Sequence, residues 1–158
     1  RHTRFRNVTG VQTCALPIYQ PLHAAEHRHD GGGNLVRVSW TAGQVKQSAS
    51  LHEYWDQQPV KSLLRGQSEA DFAAKLVAKY KTQIAAWQSG GHEAWLTESH
   101  EIAQKDVYGS LPGFACGKLF HQAELDAGYI SAGEKLVEEQ LIKAGARIAY
   151  YVNNVFDR

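Results

Sequence analysis

Two histidines and one aspartate in this chain have the side chains and the spacing to bind a single metal ion. His52 and Asp56 stand four residues apart in the run LHEYWD at 51–56, so on a helix both side chains project from one face. His23 ends the run QPLH at 20–23 and is a third candidate ligand. Two imidazoles and a carboxylate with an open position are typical of a catalytic zinc, whereas structural zinc sites are closed and often use thiolates. The set predicts hydrolysis by metal-activated water, and it identifies no catalytic side chain.

The run DGGGN at 30–34 lies between these candidate ligands in the sequence. Three successive glycines predict a tight turn whose backbone needs positive φ or a close approach to another element. Asp30 is expected to tie the turn through side-chain to backbone hydrogen bonds, and Asp30 and Asn34 are candidates to support the ligands or contact the substrate. His27 and His29 have two interpretations, as partners that orient a ligand imidazole or as solvent-exposed loop residues, and the second is favoured.

The composition bounds the class of protein. The chain has 158 residues, enough for one domain with a core, and 43% of them are hydrophobic and 21% charged, which is ordinary for a globular protein. A formal charge of +1 gives no basic field, so any contact with nucleic acid must come from a local site. No apolar run is long enough to cross a bilayer. Cys14 and Cys116 lack the spacing of a zinc ribbon or a disulfide framework.

Residues 1–18 look foreign to the rest of the chain. The run VTGVQTCALPI at 8–18 resembles the conceptual translation of a sequencing adapter, and no apolar segment of signal-peptide type precedes it. We therefore expect residues 19–158 to be the C-terminal part of a longer single helical domain.

The first half of that domain is expected to contain one hairpin and one helix. Apolar and polar residues alternate over 35–40, and a turn can lead to a second short strand at 44–47. Ser50 is a plausible N-cap for a helix over 51–64, with Pro59 as a kink or break within it.

Further helices are expected in the second half. A capping box at Ser68 predicts a helix whose apolar residues recur at helical spacing as far as Trp87. Helices over 92–107 and 118–126 follow, and a second capping box at Ser131 starts the last one. The fold class is therefore mainly α with one small β-hairpin, in which the helices bury their apolar stripes against each other.

The three runs QPLH, DGGGN and LHEYWD together resemble the central motifs of the zinc-dependent single-strand-specific nucleases, the S1/P1 nuclease family, which shares its fold with bacterial phospholipase C. Trp95 and the residues 98–99 and 144–149 resemble the later helices of that family. The resemblance extends from Gln20 to the C-terminus. It implies a mainly helical, phospholipase C-like fold that is truncated here at its N-terminus.

The resemblance also implies a function. Members hold three zinc ions, cleave single-stranded DNA and RNA to 5′-nucleotides, remove 3′-phosphates from nucleotides, and are secreted or periplasmic. His23, His52 and Asp56 correspond to the protein ligands of one of these zincs. Pro17 stands where the family has an aspartate, and the N-terminal tryptophan and the upstream histidines and aspartates of the family are absent. We therefore expect at most one zinc site and no nuclease activity in this chain, although the complete protein would be active. No protein partner and no base preference are indicated.

Two alternatives remain open. A phospholipase C-like enzyme would use the same metals on a lipid phosphodiester, although the sequence shows no exposed apolar face that would favour it. A non-catalytic helical module would contain histidines that bind metal incidentally or not at all.

Overall fold

The computed structural model describes residues 19–156, with the backbone alone for residues 155 and 156. The expected foreign segment 1–18, with Cys14 and Pro17, lies outside the described residues. The described chain is mainly helical with one small sheet, which confirms the predicted fold class. In chain order its elements are a 3-10 turn (Pro21–His23), β1 (Arg37–Ala42), β2 (Val45–Ser50), α1 (Leu51–Leu64), α2 (Glu69–Lys79), α3 (Ile84–Trp87), α4 (His92–Ile102), a π-helical segment (Ala103–Tyr108), β3 (Gln122–Glu124) and α5 (Ala127–Phe156). No helix of this described part is long and apolar enough to span a membrane.

Helix α1 begins as predicted. The Ser50 hydroxyl accepts a hydrogen bond from the Glu53 amide at 3.1 Å and so caps the first turn. Pro59 lies inside the helix without ending it, so the predicted break is wrong. The proline ring is fully buried in the core, and this packing helps to offset the backbone hydrogen bond that a proline cannot make.

The sheet has three strands rather than the two of the predicted hairpin. β1 and β2 pair antiparallel, and β3 pairs parallel with the other edge of β1. The prediction of a helix over 118–126 is therefore wrong. The Arg37 amide donates to the His121 carbonyl and the Leu125 amide donates to the Ser39 carbonyl, each at 2.8 Å, and these pairings hold the segment extended. In β3 the partly buried Ala123 lies between the exposed Gln122 and Glu124, and a strand of three residues gives too short a pattern to be recognised in the sequence.

Two further helix boundaries differ from the sequence prediction. The helix expected from Ser68 to Trp87 ends at Lys79 and resumes as the short α3. Glu138 accepts hydrogen bonds from both Lys79 and Tyr80 where the first helix ends. The Ser68 capping box itself is confirmed.

The last helix, α5, begins at Ala127, four residues before the predicted cap at Ser131. Asp126 caps the start of this helix, because its Oδ1 accepts a hydrogen bond from the Tyr129 amide at 2.7 Å. Ser131 lies exposed within the helix. Glu134, the expected partner of Ser131 in the capping box, instead accepts from Ser62 on α1. It therefore links α1 to α5.

The core lies between the sheet, α1 and α5, and the predicted helix over 92–107 forms one side of it. That helix is observed as α4 followed directly by the π-helical segment, and its last residue, Tyr108, is buried. Large aliphatic and aromatic side chains fill this core: Leu22, Val36, Val38, Trp40, Leu51, Tyr54, Trp55, Val107, Leu111, Leu125 and Tyr129. The 3-10 turn packs against α4 and the π-helical segment, which places His23 at the surface beside the start of α1.

Candidate metal centre

The 3-10 turn positions His23 through the residue that precedes it. The Gln20 side-chain oxygen accepts from the Leu22 amide at 2.5 Å, and Pro21 fixes the backbone of the first turn position. The Gln20 amide nitrogen then donates to Asp56 Oδ1 at 3.1 Å. One side chain therefore caps the turn that carries His23 and holds the carboxylate of Asp56.

Helix α1 positions the other two candidate ligands. His52 is its second residue and Asp56 lies one turn later, so both side chains project from the same face, as the four-residue spacing predicts. His52 Nε2 lies 3.6 Å from Asp56 Oδ2. The carboxylate is therefore within reach of an ion bound to the imidazole.

The glycine-rich turn joins the two elements that carry the ligands. The Gly32 carbonyl accepts a hydrogen bond from His52 Nδ1 at 2.8 Å. Gly32 has a φ of +64°, and a Cβ at this position would lie 2.5 Å from the Leu22 carbonyl oxygen. Only a glycine allows this approach, because both the positive φ and the contact exclude a side chain. The turn thus fits between the His23 turn and the His52 helix.

The three candidate ligand atoms lie close together. The Nε2 atoms of His23 and His52 are 3.2 Å apart, and His23 Nε2 is 3.9 Å from Asp56 Oδ1. Donors bound to zinc at 2.0–2.1 Å in a tetrahedron are about 3.3 Å apart, so these separations suit one ion after small adjustments. The His23, His52 and Asp56 side chains are 33%, 19% and 40% exposed. The group is open to solvent, which leaves room for an exchangeable ligand.

The hydrogen bond to Gly32 fixes the tautomer of His52. A carbonyl oxygen can only accept, so Nδ1 carries the proton and Nε2 presents its lone pair toward His23 and Asp56. This is the arrangement in which a metal-binding imidazole is usually found, with its other nitrogen bonded to a carbonyl or carboxylate. His52 is therefore oriented for metal binding.

The structure places the loop candidates around the glycine turn. Buried Asp30 accepts from the His27 amide at 3.0 Å and from the Tyr108 hydroxyl, and Asn34 donates to the Gly31 carbonyl at 2.7 Å. These bonds tie the turn. His27 contacts the Lys118 carbonyl, and His29 is exposed and paired with Glu26.

An open groove of about 580 Å³ lies on the His23 side of the centre. His100 on α4 lines it, and its Nδ1 donates to the Ala24 carbonyl at 2.8 Å. The groove reaches Glu26 and the glycine turn. A bound molecule held by the three ligands would therefore have space to extend along the chain next to His23.

An ion-pair network anchors α4 to α5. Glu98 accepts from Lys143 at 2.5 Å and from Arg147 at 2.6 Å, and both basic residues are buried. Burial would raise the pKa of Glu98, but the hydrogen bonds and charges of the two basic side chains together lower it. Burial likewise opposes the charged form of Lys143, yet bonds from Glu139 and Glu98 raise its pKa. The network therefore stays ionised at neutral pH.

Several residues around the centre carry no clear signal in the sequence. Gln20 belongs to the QPLH run, but its bond to Asp56 depends on tertiary structure. Tyr108 gives no signal beyond an aromatic residue near a helix end. The Gly32 carbonyl is a backbone atom, and only the need for glycine at this position hints at a close approach.

A mainly helical domain with three potential metal ligands at its surface is consistent with a metal-dependent hydrolase. The profile of the S1/P1 Nuclease family matches residues 17–157, and the chain belongs to this family. Membership indicates a nuclease, a phosphodiesterase whose substrate is nucleic acid. A comparison with curated proteins finds no match to the chain.

Proposed function

We propose that the complete protein to which this domain belongs is a zinc-dependent phosphodiesterase that cleaves single-stranded DNA and RNA to 5′-nucleotides and removes 3′-phosphates from nucleotides, and that this domain alone binds zinc without cleaving. The observation that carries the proposal is the convergence of one ligand atom each from His23, His52 and Asp56 within 4.8 Å. Family membership supports the reaction type, and the ligand set supports the choice of metal.

The donor set fits zinc better than a hard cation. Two neutral imidazoles are borderline-soft ligands, and one carboxylate offsets part of the positive charge, whereas magnesium and calcium prefer oxygen donors throughout. When bound, zinc supplies a Lewis acid for phosphate oxygens and lowers the pKa of a coordinated water. His52 is held in the right tautomer by the Gly32 carbonyl, and Gln20 holds the Asp56 carboxylate toward the imidazoles.

The surroundings favour a single strand over a duplex. A net charge of +1 gives the chain no overall basic field that would attract a duplex, so recognition must be local. The open groove beside His23 can take a flexible nucleotide next to a phosphate at the ligands. We propose that Asp30 acts by holding the glycine turn, and that Asn34, exposed at its end, is available to a substrate.

The family's three zincs require more ligands than one group supplies. Among residues 19–156, one group of His, Cys, Asp or Glu side chains could hold an ion. We propose that this part of the chain contributes one of the three zinc sites, and that residues 1–18 do not belong to the domain. We also propose, from the family alone, a secreted or periplasmic location.

The proposal is tested by zinc-dependent binding of nucleic acid. The metal-free chain is titrated with zinc, and its binding to a short fluorescein-labelled single-stranded DNA is followed by anisotropy. We expect one zinc per chain, and we expect the binding of single-stranded DNA to require zinc. His52→Ala should abolish both, whereas His121→Ala, which changes an exposed histidine just before β3, should leave both unchanged.

The same experiment separates the alternatives. Zinc-dependent binding to phosphatidylcholine vesicles with none to the oligonucleotide would favour a lipid phosphodiesterase. Failure to bind zinc, or equal zinc content in the wild type and His52→Ala, would favour a non-catalytic module and overturn the proposal.

A further inference from the structure

We propose that Tyr108 is a positioning residue of the metal centre, which acts through Asp30 and the glycine turn on the imidazole of His52. Tyr108 is the last residue of the π-helical segment and touches none of the three ligands through the hydrogen bonds described above. The inference rests on the proposed zinc site and adds a residue that controls its geometry.

The first link is the contact between Tyr108 and Asp30. The Tyr108 hydroxyl lies 3.0 Å from Oδ1 and 2.8 Å from Oδ2 of Asp30, and both residues are buried. Burial and the adjacent carboxylate raise the pKa of Tyr108 well above its usual value, so the hydroxyl keeps its proton and remains a donor. A buried carboxylate is costly without such partners.

The second link is the loop that Asp30 closes. Asp30 Oδ1 accepts from the His27 amide at 3.0 Å, and the Asp30 backbone bonds both the His27 carbonyl and the Leu35 amide. Arg28 and His29, inside this loop, have φ of +51° and +63°, which is unfavourable for residues with a Cβ. The loop therefore depends on Asp30 to hold its conformation.

The third link reaches the ligand. The turn that begins at Asp30 ends with the Gly32 carbonyl bonded to His52 Nδ1, and the Gly33 carbonyl also accepts from the His52 amide at 3.4 Å. A displacement of the turn moves the acceptor of the imidazole and so tilts the ring. The lone pair of Nε2 then no longer points to the place shared with His23 and Asp56.

The π-helical segment explains why a tyrosine from α4 can reach the loop. Its wider turn, closed by the Gly109 amide on the Gln104 carbonyl at 2.9 Å, changes the direction of the side chains that follow α4. Val107 in the same segment packs in the core, and its carbonyl accepts from the Tyr129 hydroxyl at 3.0 Å. Tyr129 also accepts from Trp55 on α1, so its hydroxyl bonds no residue of the glycine turn.

Tyr129 therefore provides a matched control. Tyr108→Phe and Tyr129→Phe each remove one buried hydroxyl that makes two short contacts, but only the first touches Asp30. Zinc affinity of the full chain is measured by competition with a chromophoric chelator, and thermal unfolding is measured without metal. Cobalt absorption reports the ligand geometry.

We expect both variants to unfold at a lower temperature than the wild type. Tyr108→Phe should in addition lower zinc affinity about 3- to 10-fold and change the cobalt spectrum, since partners directly behind a ligand are worth 10- to 100-fold and Tyr108 acts one step further away. Tyr129→Phe should bind zinc within about 2-fold of the wild type, because its hydroxyl bonds neither Asp30 nor the glycine turn, and its partner Trp55 on α1 is held by burial in the core.

The outcomes separate this inference from the proposed function. A wild type that fails to bind zinc overturns the zinc site and the inference with it. A wild type that binds zinc, with Tyr108→Phe and Tyr129→Phe equal in affinity and spectrum, overturns the positioning role alone. If Tyr108→Phe does not fold, Asp30→Asn keeps an acceptor for Tyr108 and His27 and should retain zinc affinity, whereas Asp30→Ala should lose it. Equal affinities for these two variants would contradict the inference.

Discussion

The Gly32 carbonyl and His52 Nδ1 are joined by a 2.8 Å hydrogen bond that spans the glycine turn and the first turn of α1. Gly32 also lies against the Leu22 carbonyl, one residue before His23. The same residue therefore sets the distance between two proposed metal ligands that are 29 positions apart in sequence.

Substitution of Gly32 should damage both stability and metal binding. Gly32→Ala combines a strained positive φ with a Cβ at 2.5 Å from the Leu22 carbonyl oxygen. The strain alone costs about 1–2 kcal/mol, and we expect a total loss of at least about 3 kcal/mol in the free energy of unfolding. Urea unfolding with and without zinc measures it.

Gly43 is the control for this variant. It has a φ of +65° in the β1–β2 turn, and a Cβ added there would meet no atom within 4 Å. Gly43→Ala should therefore lose only the strain energy and keep wild-type zinc affinity. Equal losses for the two alanines would show that the contact with Leu22 is unimportant.

Zinc should stabilise the folded chain. Because an ion bound by His23, His52 and Asp56 favours the folded state, saturation at about 100 times the dissociation constant adds about 2.7 kcal/mol. Scanning calorimetry should give a higher midpoint with zinc, reversed by a chelator. Asp56→Asn should reduce this gain. An undiminished gain in that variant would place the ion elsewhere.

The chain should bind zinc without cleaving single-stranded DNA. Residues 19–156 contain one group that could hold an ion, whereas clamping both the attacking and the leaving oxygen of a phosphodiester requires at least two metals. Incubation of a labelled oligonucleotide with zinc and the purified chain should yield no products above those of His52→Ala. Cleavage that depends on His52 would contradict this expectation.

The Glu98 network should make stability fall in acid. The pKa of Glu98 is lower in the folded chain than in the unfolded chain. Its contribution to stability is therefore complete above the unfolded pKa of about 4.3 and is lost as the pH falls through the folded pKa. Lys143 has a raised pKa, so its contribution is complete below about 10.4 and is lost above that. Glu98→Gln should therefore flatten the acid limb below about pH 5.

The expected size of this effect follows from burial. Glu98 is 28% exposed, and Glu139 still pairs with Lys143 when Glu98 is neutral. We therefore expect Glu98→Gln to lower the free energy of unfolding by about 2 kcal/mol at pH 7, which is less than for a fully buried pair. Urea unfolding from pH 3 to pH 8 measures it. Glu124→Gln, at an exposed pair with Lys46, is the control and should retain the wild-type profile.

Local patterns in the sequence are enough to predict the spacing of the candidate ligands and most of the helices. The four-residue spacing of His52 and Asp56 and the cap at Ser50 are set within one or two helical turns, so they could be predicted from neighbouring residues. The chain's family resemblance came from the same short runs, and the match over residues 17–157 confirms it.

The failed predictions depended on distant partners. β3 is only three residues long and is extended because β1 offers an open edge. At the start of α5, Asp126 and Ser131 both fit a capping pattern, and the packing of Tyr129 against Trp55 is consistent with the earlier start. The bond between Gln20 and Asp56 joins residues 36 positions apart, which no local pattern encodes.

The parallel pairing of β1 with β3 has a consequence for folding kinetics. Arg37 pairs with Gln122, and the chain between these strands contains all the helices from α1 to α4. Closing so long a loop has a high entropic cost and is therefore slow, whereas the hairpin and the helices form through contacts between residues close in sequence. We therefore expect the His52 helix to form early and the third strand to dock last, as a slow step that finishes the sheet.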